Sequence, residues 1–422
     1  MISLVESLGF RCLRYISQPL GTFHVLVGPN GSGKTTFLDV VGFLGDLVSE
    51  GLDAALGGRT QNFEDLVWEH GDKFELAIEA QIPDDRRKLL SNPKYDTVRY
   101  EIAIVRDDNS GETTISAERG LLIVSRSKDL AQRSLFPLPE TPPTSLLLPD
   151  KAPNSRRMFS KTPGGNDNYY ADAQEREGRW APAFKLGPRK STLGNLPEDE
   201  SNFPASTWFK QLLSDGVERI ALNSLHIRRA SPPGQGSGFK PDGSNLPWVL
   251  ADLQERSPER LHDWLEHVRT AIPDLQSVRT VVRDDDRHRY LMLVYTGGLE
   301  IPSWMASDGT LRLLALTLPA YLDKLKGIYL IEEPENGIHP RAVETMYQSL
   351  NSVYDAQILL ATHSPVILSV AEPKDVLCFA KNDEGAADIV IGSEHPPLSS
   401  CHCIWSSIRE NDVNLMAVSE IG

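Results

Sequence analysis

Nine consecutive residues, 28 to 36, have the types and the spacing of a loop that binds phosphate. They are Gly28, Pro29, Asn30, Gly31, Ser32, Gly33, Lys34, Thr35 and Thr36, and they fit the pattern G-x-x-x-x-G-K-[ST]. Glycines let a backbone turn so that its N–H groups converge on phosphate oxygens. Lys34 adds a positive charge, and the Thr35 hydroxyl can hold Mg²⁺. The sequence therefore predicts that ATP or GTP binds here together with Mg²⁺.

Two apolar runs flank this loop and would position it. Residues 23–27 (FHVLV) predict a short buried strand, and residues 37–44 (FLDVVGFL) predict a buried helix. A helix that begins at the loop points its positive end at the phosphates. A glycine-rich loop that merely turns a corner is the alternative, but it would need neither the Lys-Thr pair nor both flanking elements.

A second set of chemically active side chains follows another apolar run. Residues 327–331 (GIYLI) predict a buried strand that leads into Glu332 and Glu333. If this strand lies next to the strand of residues 23–27, Glu332 would be near Mg²⁺, and Glu333 could orient and deprotonate a water. The alternative interpretation is that these two acids only end the strand and have no catalytic role. His363 also ends an apolar run, so we expect it at the same carboxyl edge of the sheet, where ligands of open α/β sheets bind.

Ser307, Asp308 and Gly309 begin a third segment, which continues into a predicted helix rich in leucine and alanine. A serine hydroxyl and a glycine N–H at a helix N-terminus can bind an anion. One phosphate loop does not need a second such site in the same subunit. We therefore expect each subunit to offer Ser307 and Gly309 to the ATP that a symmetry mate holds.

These segments together resemble the ABC-type ATPase head of the RecF and OLD (overcoming lysogenization defect) kind, a branch of AAA-like ATP-binding proteins. The resemblance covers most of residues 1–120 and 240–395. The assignments that it implies are Walker A for residues 28–36, the signature motif for 307–310, the Walker B end for Glu332 and Glu333, the D-loop region for 335–339 and the switch histidine for His363. It also implies that Glu333 is the catalytic glutamate and that two subunits dimerise head to tail around two ATP molecules.

The sequence departs from the transporter form of this pattern at two places. The signature reads Ala-Ser-Asp-Gly-Thr where transporters have Leu-Ser-Gly-Gly-Gln, and the acid on the Mg²⁺ side is Glu332 where they have Asp. Both departures argue against transport more than against ATP hydrolysis. The Q-loop glutamine has two candidates, Gln61 and Gln81.

The predicted fold class is α/β: a P-loop NTPase with an ABC-ATPase-like head, a mixed central sheet, an antiparallel β subdomain and a helical or loop insertion. Residues 74–82 and 98–105 alternate with period two and predict paired antiparallel strands that are half exposed. The predicted divisions are an N-terminal lobe of the head (1–120), a Pro- and Gly-rich, partly flexible insertion or lid (121–244) and a C-terminal lobe (245–422).

Composition and charge exclude several classes of protein. The chain has 422 residues, of which 40% are hydrophobic and 24% charged, an ordinary globular composition. It lacks an apolar run near the roughly 20 residues that span a bilayer, which predicts a soluble, cytoplasmic protein without a membrane partner. Four cysteines argue against a disulfide framework. The net charge of −15 limits any contact with nucleic acid to a local patch.

Residues 151–190 could form such a patch, because they carry nine Lys or Arg against four acids. The interleaved aromatic residues are Phe159, Tyr169, Tyr170, Trp180 and Phe184. Basic groups for phosphates and aromatic rings for stacking suit DNA. A solvated lid whose charge is incidental is the alternative that the sequence favours.

Two further clusters of residues could be read as metal sites, but for both of them the sequence favours an interpretation without a metal. Cys401, His402 and Cys403 supply at most half of a zinc site, so ordinary thiols are the better interpretation. Asp284, Asp285 and Asp286 stand between two predicted strands beside several arginines, which favours a solvated turn.

The predicted function is that of an ATP-binding and slowly hydrolysing switch. It would dimerise around ATP, or form a higher oligomer, and control a separate effector such as a nuclease in DNA maintenance or anti-phage defence. A RecF-like, DNA-binding repair ATPase without a nuclease partner is one alternative. An ATP-binding transporter subunit is another, but there the signature follows Walker A closely. A self-contained OLD nuclease would need a Toprim domain, for which the residues after Pro365 are too few.

Overall fold

The computed structural model describes residues 1–107, 111–125, 142–149, 152–173, 182–323 and 325–394. The chain forms two compact units, and neither is a continuous stretch of sequence. The first unit consists of Met1–Gly21, Pro29–Val217 and Phe379–Ile389. The second unit consists of Thr22–Gly28, Glu218–Cys378 and the chain from Val390 onward.

The regular elements of the described chain are as follows. The strands are β1 (Ile2–Phe10), β2 (Leu13–Pro19), β3 (Phe23–Val27), β4 (Lys73–Gln81), β5 (Thr97–Arg106), β6 (Thr113–Ile123), β7 (Ser155–Lys161), β8 (Asp167–Tyr169), β9 (Ala183–Phe184), β10 (Val217–Ile220), β11 (Leu275–Val282), β12 (Arg289–Tyr295), β13 (Glu300–Pro302), β14 (Gly327–Glu332), β15 (Ala356–Ala361), β16 (Val376–Lys381) and β17 (Ala387–Ile391). The helices are α1 (Lys34–Ser49), α2 (Leu52–Gly57), α3 (Asp84–Arg87), α4 (Pro204–Ser214), α5 (Ser224–Arg228), α6 (Leu246–Arg256), α7 (Pro258–Ala271), α8 (Asp308–Thr317), α9 (Pro340–Asn351) and α10 (Pro365–Val370). Within the described residues, we find no helix whose length and apolar character would let it cross a bilayer.

Eight strands of the first unit form one antiparallel sheet in the order β2-β1-β4-β5-β6-β7-β8-β9. The predicted pairing of residues 74–82 with 98–105 is present as β4 and β5, with Leu76 opposite Ile102. The expected half exposure of these strands is wrong, because residues 97–104 of β5 are all buried.

Connecting segments cross both faces of this sheet, and buried carboxylates hold them in place: Glu75 and Glu101 lie on one face, and Glu118, opposite Ile102, lies on the other. The hydrogen bonds run from Leu146 N to Glu75 Oε2 at 2.6 Å, from Leu148 N to Glu101 Oε2 at 3.1 Å and from Thr192 N to Glu118 Oε2 at 2.7 Å. Burial raises the pKa of Glu101 and of Glu118, because it disfavours the ionised carboxylate. Backbone N–H donors offset that cost, so these carboxylates fix the loops that cross the sheet.

Residues 121–244, predicted as one insertion, are divided differently in the structure. Their described part supplies β7, β8 and β9 to the antiparallel sheet of the first unit. Residues 218–244 belong to the second unit. Strands β8 and β9 could not be predicted, because they have only three and two residues, too few to show a period of two.

The basic stretch of residues 151–190 is partly internal. The rings of Phe159 and Tyr169 are fully buried, and Lys161 forms a buried ion pair with Asp167 at 2.6 Å. Phe184 remains exposed at the end of the sheet. Four of the residues that suggested a DNA contact, Lys151, Arg176, Arg179 and Trp180, lie outside the described residues. Stacking on bases by Phe159 or Tyr169 would require this part of the core to open.

A second sheet has six strands in the order β10-β14-β15-β3-β16-β17, of which β14, β15 and β3 belong to the second unit. Strands β14, β15, β3 and β16 run parallel, and every residue of β3 and β15 is buried. Continuous burial is typical of inner strands in a parallel sheet that is covered on both faces. The predicted adjacency of the strand that ends at Glu332 and the strand of residues 23–27 is wrong, because β15 lies between β14 and β3; all three strands nevertheless belong to one parallel sheet.

A smaller antiparallel sheet, β11-β12-β13, also belongs to the second unit. The acidic triplet lies in the turn between β11 and β12, where Asp286 accepts the N–H of His288 at 3.0 Å. That hydrogen bond is the main cause that lowers the pKa of Asp286. Within the described chain, clusters of three or more His, Cys, Asp or Glu suited to a metal ion are absent. Cys401, His402 and Cys403 lie outside the described residues.

Candidate functional site

The glycine-rich loop begins directly after β3 and ends where α1 starts. Three of its glycines adopt positive φ angles, namely 146° at Gly28, 74° at Gly31 and 107° at Gly33. Other residues rarely adopt such angles, so the conformation depends on glycine. Gly33 is the N-cap of α1 and contributes no side-chain cap to the first turn. This loop conformation and the start of a 16-residue helix form the arrangement that binds phosphate in other proteins.

Lys34, the first residue of α1, lies against the loop that precedes it. Its side chain is buried, and its Nζ donates a hydrogen bond to the carbonyl oxygen of Pro29 at 3.0 Å. Thr35, the next residue, is exposed. The ammonium group is thus held at the loop, and the neighbouring hydroxyl faces the surface, as the binding of a phosphate and its Mg²⁺ would require.

Side chains of the first unit pack closely against the glycine-rich loop at Gly33. A Cβ atom at this position would lie 2.9 Å from the Cβ of Ala387 and 3.2 Å from the Sγ of Cys12. The same Sγ lies 3.5 Å from the hydroxyl oxygen of Thr36. The loop is in close contact with these side chains, so its conformation depends on this packing as well as on the positive φ angles that glycine permits.

In the second unit, three strand ends meet at one edge of the parallel sheet. Glu332 on β14 pairs with Ala361 on β15, and Ala361 pairs with Leu26 on β3. The N–H of Thr362 donates to the carbonyl oxygen of Leu26 at 3.1 Å. Gly28, where the loop begins, follows β3 two residues after Leu26. The predicted Mg²⁺-side acid therefore lies at the edge from which the loop departs.

Glu333 has a backbone conformation that is unusual for its type. Its φ angle is 45°, in the left-handed region, while its N–H donates to the carbonyl oxygen of Ala361 at 2.8 Å. One carboxylate oxygen accepts a hydrogen bond from the Asn336 side chain at 2.5 Å. Strained backbone of this kind costs about 1–3 kcal/mol and is concentrated at functional sites. The turn directs Glu333 away from the course of the strand that Glu332 ends.

Glu335 holds the segment that carries His363. Its Oε1 accepts hydrogen bonds from the Thr362 hydroxyl at 2.6 Å and from the His363 N–H at 3.1 Å. His363 itself is exposed. The sequence placed Glu335 only within the D-loop region, and its bond to Thr362 was not predicted, because a contact over 27 positions leaves no local pattern.

Ser307 is the N-cap of α8, and its hydroxyl oxygen accepts the N–H of Thr310 at 3.1 Å. The same oxygen lies 2.7 Å from the Thr310 hydroxyl, so the Ser307 hydrogen is available to an anion when Thr310 is the donor of that pair. Gly309 lies in the first turn of α8. Ser307 and Asp308 are exposed at the start of this helix.

A cavity of about 740 Å³ in the second unit is lined in part by Glu332 and Glu333. Its lining residues are Ile220, Ala221, Leu222, Asn223, Ser224, Leu225, Asp308, Arg312, Leu316, Ile331, Glu332, Glu333, Pro334 and Asn336. Arg312 crosses it and donates to the Asn336 carbonyl at 3.0 Å and to the Ser224 hydroxyl at 3.3 Å. The two Q-loop candidates, Gln61 and Gln81, belong to the first unit instead.

Asn223 and Ser224, which line this cavity, were not predicted from the sequence. They follow the short strand β10, and Asn223 caps α5 by accepting the N–H of Leu225 at 3.0 Å. Polar residues directly after a strand are the signal that could have found them, since strand ends carry the other site residues. The many prolines and glycines nearby hid this signal.

Comparison with protein families and with solved structures gives consistent results. Residues 23–369 match the model of the family AAA_21, described as "AAA domain, putative AbiEii toxin, Type IV TA system". An Smc head bound to the C-terminal winged-helix domain of ScpA is similar in structure, with a TM-score of 0.53 at 15% identity over 92% of this chain and 97% of that one.

An Smc head domain with an extended coiled coil, bound to the C-terminal domain of ScpA and derived from Pyrococcus furiosus, is also similar. Its TM-score is 0.51 at 14% identity, over 92% of this chain and 95% of that one. At this identity the likeness concerns the fold alone. It confirms the predicted fold class: a mixed α/β P-loop fold of the ABC and SMC-head kind, with a parallel sheet and an antiparallel β subdomain.

Proposed function

The chain belongs to the AAA_21 family of AAA domains, and on that premise we propose that it binds and hydrolyses ATP with Mg²⁺ and acts as an ATP-dependent switch. A closer relation to the RecF and OLD proteins remains a prediction. So does the slow turnover expected from the sequence.

The register at the carboxyl edge of the parallel sheet is the observation that carries this proposal. Glu332, Ala361 and Leu26 are paired across three neighbouring strands. The loop of positive-φ glycines starts two residues after Leu26. An acid and a phosphate-binding loop that leave the same sheet edge fit a nucleoside triphosphate and its metal ion.

Each residue then has a defined role. The backbone N–H groups of residues 28–36 and the Lys34 ammonium would hold the phosphates. Thr35 and Glu332 would hold Mg²⁺, which when bound supplies positive charge that offsets the charge of the phosphates. Glu333 would accept the proton of the attacking water, and its strained turn and the Asn336 amide would aim the carboxylate.

His363 would serve as a second polar contact at the same sheet edge. Its backbone is fixed by Glu335, whereas its imidazole is exposed. An exposed side chain on a fixed backbone suits a group that responds to the presence of the terminal phosphate.

We further propose that two copies associate around ATP. Ser307, exposed at the start of α8, and the half-buried Gly309 would contact the terminal phosphate held by the second copy. Association would then depend on the triphosphate, since a ligand shifts an equilibrium only through contacts that differ between the two states.

The output of the switch is proposed to pass to a separate effector protein, such as a nuclease, in anti-phage defence or DNA maintenance. The toxin–antitoxin description of the family supports a role in defence. Direct DNA binding through residues 151–190 has less support than the sequence suggested, because Phe159, Tyr169 and Lys161 are buried. A transporter role finds no support in the family match.

Light scattering coupled to size exclusion tests this function. Glu333→Gln should bind ATP without hydrolysing it and should have the mass of a dimer in ATP and Mg²⁺, but that of a monomer in ADP. Ser307→Arg in the same background should prevent the dimer by placing bulk and charge at the start of α8. An equal mass in ATP, in ADP and without nucleotide would refute the shared site.

A further inference from the structure

Arg228, the last residue of α5, binds the start of α8 at two places. Its Nε and Nη2 donate to one carboxylate oxygen of Asp308, at 2.8 and 2.6 Å. Its Nη1 donates to the carbonyl oxygen of Trp304 at 3.1 Å. In return, the Ser303 hydroxyl donates to the carbonyl oxygen of Arg228 at 2.9 Å. Arg228 therefore fixes both the turn before α8 and the acid in its first turn.

Asp308 is an unfavourable residue for a helix start that should receive a phosphate. The N-terminus of a helix attracts one anion, and a carboxylate in the first turn already satisfies part of that attraction. A phosphate that approached Ser307 and Gly309 would also meet the negative charge of Asp308. Two like charges within a few ångströms repel each other by an amount that lowers affinity unless one is neutralised.

We propose that Arg228 is a positioning residue that neutralises Asp308 and turns its carboxylate aside, so that the start of α8 can accept the terminal phosphate of an ATP held by a second copy. This inference rests on the proposed function. The guanidinium uses two of its nitrogens on one carboxylate oxygen and the third on the backbone, so it fixes the direction of the carboxylate and offsets its charge.

The contact differs from an ordinary surface ion pair. The side chains of Arg228 and Asp308 are 27% and 57% exposed, and what sets the contact apart is that Arg228 donates three hydrogen bonds to residues that precede and follow Ser307 in the chain. By contrast, Arg256 pairs with Asp252 along α6 at 2.9 Å and is 59% exposed. Pairs of the second kind contribute little. Arg256→Ala is therefore a matched control that removes an arginine from an ion pair away from α8.

A double-mutant cycle in full-length Glu333→Gln tests the proposal. The dimer dissociation constant is measured in ATP and Mg²⁺ by sedimentation velocity. Arg228→Ala should weaken the dimer about tenfold or more, the effect expected for a lost hydrogen bond to a charged group. Adding Asp308→Asn to Arg228→Ala should restore most of that loss, because the repelling charge is then gone. A residue that only supported the fold would not be rescued in this way.

Further measurements make each outcome decisive. Raising the salt concentration should reduce the defect of Arg228→Ala, since salt screens exposed charges. Arg256→Ala should dimerise like its parent. If Arg228→Ala does not fold, Arg228→Gln, which can still donate a hydrogen bond, replaces it with the same expected loss and rescue.

Failure of this inference can be told from failure of the proposed function. If the Glu333→Gln parent does not associate in ATP, the proposed function fails and the role of Arg228 fails with it. If the parent associates and Arg228→Ala dimerises with the same dissociation constant, only the role of Arg228 is refuted. The same holds if Asp308→Asn does not restore the dimerisation that Arg228→Ala loses.

Discussion

The backbone of Gly309, in the first turn of α8, lies directly against the carbonyl oxygen of Gly337. A Cβ atom added at position 309 would come within 2.3 Å of that oxygen, a distance at which something must move. Gly337 has a φ angle of 78°, which also favours glycine. The start of α8 and the loop after β14 are therefore packed backbone to backbone, and one cannot shift without the other.

Gly309→Ala should destabilise the protein by about 1–3 kcal/mol, the usual cost of adding a methyl group where there is no space. Chemical denaturation checks this. Gly57→Ala is the control, because Gly57 lies at the end of α2 with no atom within 4 Å of the added Cβ. Equal stability of the two variants would mean that the contact at Gly337 yields easily.

Lys34→Ala should weaken ATP binding by about ten- to a hundredfold. The substitution removes a charged contact to phosphate worth about 1.5–3 kcal/mol. Titration calorimetry measures the change, with Lys185→Ala as a control at an exposed lysine. Unchanged affinity in Lys34→Ala would remove the loop from the proposed site.

Glu333→Gln should keep ATP binding and lose hydrolysis by about 10²–10⁴, the usual contribution of a general base. Glutamine retains an oxygen that can accept the hydrogen bond of Asn336, so the turn should persist. Phosphate release under single-turnover conditions measures the loss. Hydrolysis at the wild-type rate would transfer the role to Glu332 or His363, and Glu332→Gln would then be compared.

Asp172 should make the first unit more stable in acid. Its carboxylate is buried and accepts the N–H of Ser206 at 2.8 Å, and burial raises its pKa to about 6. The folded state thus holds the proton more tightly than the unfolded state, whose pKa is 3.8. The contribution of Asp172 to stability therefore falls by about 3 kcal/mol as the pH rises from 4 to above 6.

Asp172→Asn removes this dependence and keeps an acceptor for Ser206. Wild type should lose stability relative to Asp172→Asn between pH 4.5 and 7.5, as measured by denaturant unfolding. Asp199→Asn is the control and should show almost no change over this range, because a hydrogen bond from the Ser201 hydroxyl lowers the pKa of the exposed Asp199 from 3.8, so its own dependence lies at lower pH. A constant difference between wild type and Asp172→Asn would contradict the assigned pKa.

The sequence predicted the structure correctly where a functional motif is one continuous segment of the chain. The strand of residues 23–27, the glycine loop and the helix after it form one continuous segment, so their types and order could be predicted together. The strand that ends at Glu332 was also recognisable, because buried parallel strands are continuous apolar runs. The fold class followed from these elements and their order.

Contacts between distant residues could not be predicted in the same way. Lys161 appeared to be part of a basic surface, yet it is buried against Asp167, which no composition count can show. The bond from Arg228 to Asp308 joins residues 80 positions apart. The close approach of Gly309 to Gly337 likewise depends on how two elements pack. Contacts of this kind are determined by the tertiary fold, and they produce no periodic pattern in a single sequence.

The position of β3 has a consequence for biosynthesis. This strand leaves the ribosome before its sheet neighbours β15 and β16, which begin at Ala356 and Val376, more than 300 residues later in the chain. At about 5–20 residues per second, its five apolar-rich residues wait on the order of tens of seconds for their partners. The nascent chain therefore has an unprotected aggregation-prone segment, and a chaperone that shields it during translation should raise the yield of folded protein more than one added afterwards.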